Sequence, residues 1–127
     1  METLSIRTKT RTQFVDITAD VQAAVNRLGI AKGIVTVFVP HTTAGVTINE
    51  NADPDVTADL ALMLDRMVPW TGGYAHAEGN SAAHLKAGMM GCSAQAPVDG
   101  GRLMLGTWQA IYFCEFDGPR SRRVWVQ

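Results

Sequence analysis

The spacing of apolar side chains along the chain alternates between two periods. Val21, Val25 and Leu28 recur at intervals of four and three. Val56, Leu60, Met63, Leu64 and Met67 do the same further on. Such spacing puts the residues on one face of an α-helix. The first helix is predicted to begin at Thr18, a capping residue, and to stop at Gly29; the second runs from Pro54 to about Met67. Asp53 suits the N-cap of the second, and proline is tolerated in a first helical turn, where its missing N–H costs nothing. A shorter helix is predicted with Ser81 as its cap, running through about Met90 and ended by Gly91.

Elsewhere the pattern is that of strands. Thr3 to Lys9 and Gln13 to Ile17 read as two short ones. Ile34 to Val39 is almost continuously apolar, the expectation for a strand covered on both faces. Val46 to Ile48 re-enters a sheet, and Ala110 to Phe116 and Arg123 to Gln127 close the chain. Ser93 to Val98 and Arg102 to Leu105 flank Asp99-Gly100-Gly101, a strong hairpin signal. Between the second and third helices, Pro69-Trp70-Thr71-Gly72-Gly73-Tyr74 opens a long irregular segment carrying His76 and Glu78. Loops of that length in a small protein are usually either functional or mobile. Two one-faced helices with six to eight strands predict a single α+β domain over residues 1–127, with two sheets packed face to face.

Composition adds mainly exclusions. A net charge of −1 with 46% hydrophobic residues describes an ordinary globular chain and argues for neither nucleic acid nor an anionic membrane as partner. The one basic knot, Arg120-Ser121-Arg122-Arg123, reads as a solvated turn before the last strand. The two cysteines, Cys92 and Cys114, lie far apart and make no disulfide framework, so a reducing, cytoplasmic compartment is expected. No apolar run approaches the ~18 residues of a membrane span.

One stretch holds the densest chemistry. The apolar run to Val39 meets Pro40 and His41, then the small residues Thr42, Thr43, Ala44 and Gly45, and after Val46-Thr47-Ile48 the polar row Asn49, Glu50, Asn51. Together with Gly106-Thr107-Trp108-Gln109, Ile111-Tyr112, the block His76-Ala77-Glu78-Gly79-Asn80 and His84-Leu85-Lys86, this stretch closely resembles the YjbQ-like family, to which a secondary thiamine-phosphate synthase activity is in places ascribed. The likeness spans nearly the whole chain. It implies a three-layer α/β/β arrangement, a β-sandwich of mostly antiparallel strands with two main flanking helices, assembled as a homotrimer.

All three histidines fall within those motifs. Histidine is the commonest metal ligand, so His41, His76 and His84 are candidate ligands of a divalent ion, zinc or magnesium, with Glu78 as a further ligand or a general base and His41 as a second catalytic group. Glu50 with Asn49 offers oxygen ligands to a hard cation or shapes a pocket. Thr42 and Thr43 can donate hydroxyl groups, and Lys86 charge, to a phosphate. Trp108 can stack on a flat heterocycle while Gln109 reads its edge. Three functions fit this inventory: a thiamine-phosphate synthase joining a pyrimidinylmethyl diphosphate to a thiazole phosphate, a metal-dependent hydrolase, and a non-enzymatic trimer binding a small phosphorylated ligand.

Overall fold

The computed structural model describes all 127 residues. Eight strands and three helices follow in the order β1 (Glu2–Arg7), β2 (Gln13–Asp16), α1 (Thr18–Leu28), β3 (Lys32–Phe38), β4 (Ala44–Glu50), α2 (Pro54–Met67), α3 (Ser81–Met90), β5 (Ser93–Asp99), β6 (Arg102–Leu103), β7 (Gln109–Glu115) and β8 (Ser121–Val126). They form a five-stranded sheet in the order β1-β8-β3-β5-β6 and a three-stranded sheet in the order β2-β7-β4. Every strand pairing is antiparallel.

Strand alternation decides what lies between the sheets. On β7, Ile111 and Phe113 face the five-stranded sheet and join Val35, Val37, Val124 and Val126 in the main core, which α1 completes with Val21, Ala24 and Val25. The alternate β7 residues, Ala110, Tyr112 and Cys114, face the other way and meet Ala83 and Ala87 of α3 and Leu64 of α2. The layers are therefore helix, three-stranded sheet, five-stranded sheet. β4 lies so close to the end of α3 that a Cβ on Gly45 would stand 2.7 Å from the Gly91 carbonyl oxygen and 3.0 Å from Met90 Cβ.

The turn at Asp99–Arg102 closes a two-residue hairpin in which Gly100 and Gly101 have φ of 58° and 78°. Positive φ at both central residues is what the twist of the flanking strands demands. Several expectations need correction. β6 is shorter than 102–105, because Met104 and Leu105 leave the ladder. Thr18 starts α1 but does not cap it; its hydroxyl accepts from the Ile111 N–H at 2.9 Å and so ties the helix to β7. Of the apolar α2 stripe only Leu64 is buried, and Met63 and Met67 are exposed. β3 is covered on one face only: Ile34 is 63% exposed, and Phe38 stacks on Trp125 at 5.8 Å on the outer surface. Its apolar run reflects one core face plus an uncovered apolar one.

Candidate functional site

Because β7 alternates, Glu115 falls on the same face as Ile111 and Phe113 and points between the sheets at the end of the sandwich. β8 alternates likewise, so Arg122 shares the inner face of Val124 and Val126. The two meet there, Glu115 fully buried and Arg122 nearly so. Arg122 donates to Glu115 through Nε at 2.9 Å and Nη2 at 2.5 Å, and Nη2 also donates to Thr43 Oγ1 at 2.8 Å. Thr8 and the Phe116 and Asp117 amides supply Glu115 with three further hydrogen bonds. Paired geometry of this kind is what makes a buried charge tolerable. The other terminal nitrogen of Arg122 has no partner within the protein.

Over this pair opens a cavity of about 640 Å³ whose wall includes His41, Thr42, Thr43, His76, Glu78, Asn80, His84, Cys92, Asp117, Arg120 and Arg122. His41 follows the Pro40 break after β3, and its Nε2 accepts from the Arg123 N–H at 3.0 Å. In the neutral ring this leaves the proton on Nδ1, a donor. Burial, then the charge of Arg122, holds the His41 pKa below the usual histidine value and keeps the ring neutral near pH 7; the Glu115 charge opposes this without reversing it. His76 and His84 come from opposite sides of the α3 N-terminus, with ring centroids 5.4 Å apart edge to face. Glu78 Oε1 stands 4.0 Å from His76 Nε2. Arg120 is held by Asp117, through Nε to its carbonyl and Nη2 to its carboxylate.

The structure thus brings together six of the residues singled out in the sequence: His41, Thr42, Thr43, His76, Glu78 and His84. It does not bring in the others. Lys86 is buried, with its ammonium on the Asp65 carboxylate of α2, and does not line the cavity. Asn49, Glu50, Trp108 and Gln109 lie at the far end of the three-stranded sheet, where Glu50 pairs with Gln109 while Ala44 pairs with Glu115 at the cavity end. At ~3.3 Å per residue, the length of β4 separates the two groups by about 20 Å. There Tyr112 donates to the Glu50 carbonyl, Gln109 turns back to accept from the Gly106 N–H, and Trp108 is exposed.

As they stand, no three His, Cys, Asp or Glu side chains converge at metal-ligand spacing. The lone pair of His41 Nε2 is already engaged by Arg123, so the three histidines do not form a ligand set in this arrangement. Residues that sequence reasoning passed over carry much of the wall, Arg122, Asn80 and Asp117, with Glu115 buried behind Arg122. Their signal was present in the chain. A glutamate inside Phe113-Cys114-Glu115-Phe116 has to be paired, and Arg122 shares the parity of Val124 and Val126, so the basic knot is not wholly a solvated turn.

The scaffold is a two-sheet α+β domain with a guanidinium anchored at its seam and three histidines around one polar cavity. The chain belongs to the YjbQ-like UPF0047 family, whose model matches residues 2–127. It is 49% identical to UPF0047 protein YugU of Bacillus subtilis over all of this chain and 97% of that protein. A UPF0047 protein of Methanocaldococcus jannaschii is 46% identical over 96% of this chain and 88% of its own length. The crystal structure of an uncharacterised YjbQ/UPF0047 protein from Clostridium acetobutylicum superposes with a TM-score of 0.98 at 54% identity, covering 100% of this chain and 98% of that one. A conserved hypothetical protein from Thermus thermophilus gives 0.93 at 43% identity, covering 100% and 98%. No helix is long and apolar enough to cross a membrane.

Proposed function

We propose that the cavity binds the anionic group of a small phosphorylated molecule and that the chain is an enzyme acting on it. The observation that carries this reading is Arg122, a residue of the cavity wall: Glu115 and Thr43 fix its guanidinium, and one terminal nitrogen has no partner within the protein. A preset cation of this kind binds phosphate without the entropic cost of ordering a long side chain. His41 adds an N–H, Thr42 a hydroxyl, and Arg120 a second guanidinium. Glu78, exposed beside His76, is the group free to move a proton.

Thiamine-phosphate synthesis is the reaction the resemblance names. It joins a thiazole nitrogen to a pyrimidinylmethyl carbon and expels diphosphate, and the arginine pair suits that leaving group. Trp108 and Gln109, too distant to stack on a ligand in this cavity, contribute only if a second copy of the chain brings them there. The homotrimer the resemblance implies has surface to use, since Ile34 and Phe38 on the outer sheet face and Met63 and Met67 on α2 are uncovered. A metal-dependent hydrolase is the second reading: His84 lies ring to ring with His76 and Glu78 stands beside His76, and the three would have to close further to hold an ion.

Calorimetric titration with diphosphate and thiazole phosphate tests the first reading. Binding should be measurable and should weaken about tenfold or more in Arg120→Ser and in His41→Phe, and absence of binding up to about 10 mM would overturn it. With an active substrate, Glu78→Gln should abolish turnover and leave affinity nearly unchanged. Stoichiometric zinc in protein purified without chelator would favour the hydrolase.

A further inference from the structure

Residues 71–79 are all exposed and form no helix or strand. Their one backbone hydrogen bond is local, from the Gly79 N–H to the His76 carbonyl at 3.1 Å. The Tyr74 hydroxyl donates at 2.8 Å to the carbonyl of nearby Pro69, and a Cβ on Gly72 would stand 2.7 Å from Tyr74 Cζ, so the segment packs on itself. Toward the body it offers only the His76 ring, edge to face on His84, and the Tyr74 ring beside Val68, Ala82 and Leu85. Its flanks, by contrast, are fastened. The Arg11 guanidinium lies over the Trp70 ring at 4.1 Å, and Asn80 Nδ2 donates to Asp117 Oδ2 at 2.8 Å. The two fastenings share one place, because the Gly118 N–H, next to Asp117, donates to the Arg11 carbonyl at 3.0 Å. Glycines of positive φ stand just inside each flank, Gly73 at 72° and Gly79 at 75°. A self-packed loop whose ends are held together is an Ω-loop, and hinge positions at its two ends let it swing as a unit while the body stays still.

We infer that residues 71–79 form a lid that closes over a phosphate-bearing ligand in the cavity and shuts His76 and Glu78 away from bulk water. This rests on the anion-binding reading given above. Both residues already stand on the cavity wall, yet the side chain of His76 is 43% exposed and that of Glu78 72%. A carboxylate so open to water has its charge screened, and closure that expels water strengthens every polar interaction inside. A ligand shifts a loop only by making contacts in one position that it lacks in the other. Here the open position has little to give up, since the segment makes no hydrogen bond to the body. The closed one offers an anion the His76 ring and the backbone N–H groups of residues 71–78, none of which has a partner within the protein. The Glu78 charge opposes that approach, so the amides and His76 draw the lid and the carboxylate is carried with them.

The test is hydrogen exchange of the full chain, read residue by residue by NMR, with and without diphosphate at a concentration that calorimetry shows to be saturating. In the free protein the amides of residues 71–78 should exchange within about tenfold of the rate of an unstructured peptide. Diphosphate should slow them about tenfold or more along the whole segment, including Gly72 to Ala75, which do not line the cavity. Glu78→Gln should keep that protection. Slow exchange in the free protein overturns the inference, because the loop would then be closed already. Slowing confined to residues 76–79 also overturns it, since contact with the ligand would account for that without any closure. Loss of protection in Glu78→Gln does the same, because the carboxylate would then be what moves the loop. Diphosphate that binds and slows nothing overturns the lid and leaves the anion site standing. Failure of diphosphate to bind overturns the anion reading and this inference with it.

Discussion

Glu115→Gln is the sharpest perturbation available, because it changes one atom at the seam of the two sheets. The carboxylate is fully buried and accepts five hydrogen bonds, from Thr8, from two nitrogens of Arg122 and from the Phe116 and Asp117 amides. A glutamine retains one oxygen. Wherever its NH2 is placed, it faces a donor: Arg122 Nε on one side, or Nη2 and two backbone amides on the other. Rotation of the Thr8 hydroxyl can relieve one clash but not the loss of charge. Arg122, nearly buried, would then carry a positive charge with no counter-ion. Breaking a buried pair in this way costs about 3–5 kcal/mol, against total stabilities on the order of 5–15 kcal/mol.

Urea unfolding followed by circular dichroism should show that loss as a lower midpoint at unchanged slope, with Tm falling by roughly 10–20 °C. The double change Glu115→Met with Arg122→Met should recover part of the stability, because neither charge then needs a partner, although Thr8 and the two amides lose theirs. It should recover no phosphate binding, since the guanidinium is gone. That divergence separates what the pair does for the fold from what it does for the cavity. A loss below about 1 kcal/mol in Glu115→Gln would refute the reasoning, because it is the value of a solvated surface pair.

Three further outcomes follow from the same geometry. A thiol reagent should modify Cys92, exposed on the cavity wall, and spare Cys114, whose thiol burial pushes up to about 12, while diphosphate should slow the Cys92 reaction; equal labelling of both cysteines in folded protein would contradict the placement. His41 has a folded-state pKa depressed below the ordinary histidine value of 6.5, so the stability it contributes is present above that pH and is lost as pH falls through the lower, folded value; NMR titration should show the depressed pKa, and His41→Gln should remove that part of the acid destabilisation. Gly45→Ala should cost about 1–3 kcal/mol in urea unfolding, since its Cβ would press on the Gly91 carbonyl and Met90 Cβ where α3 meets β4.

Most of the scaffold was legible because it is written in local patterns. The span of α2 from Pro54 to Met67 followed from its cap and period, and the two-residue hairpin from Gly100-Gly101; the bounds of α3 were legible from Ser81 and Gly91, although Asn80 and not Ser81 takes the N-cap position. What periodicity could not tell was what an apolar face meets. The α2 stripe and the β3 run look like core, yet Met63, Met67, Ile34 and Phe38 remain uncovered, because a pattern records that a surface is apolar and not whether this chain supplies its cover. The motifs likewise showed which residues are unusual without showing which are neighbours. His41 and Glu50 are nine positions apart in one stretch, yet the strand between them carries them to opposite ends of a sheet.

The register of two strands then explains why the cavity lies where it does. β7 leaves the main core at Glu115, and β8 enters it at Arg122, seven residues later around the Gly118–Pro119 turn. Gly118 is needed there: a Cβ would fall on the Thr10 carbonyl oxygen and come within 2.9 Å of Thr8 Oγ1 and Glu115 Cγ. That tight packing sets Asp117 beneath Asn80 and Arg120 on one side of the turn and presents the Arg123 amide to His41 on the other. The contacts of Arg120 and Arg122 and the tautomer of His41 are therefore fixed by a single connection whose two ends belong to different sheets. A change that shifts one sheet against the other moves all of these groups together, which couples the geometry of the proposed binding site to the packing of the sandwich.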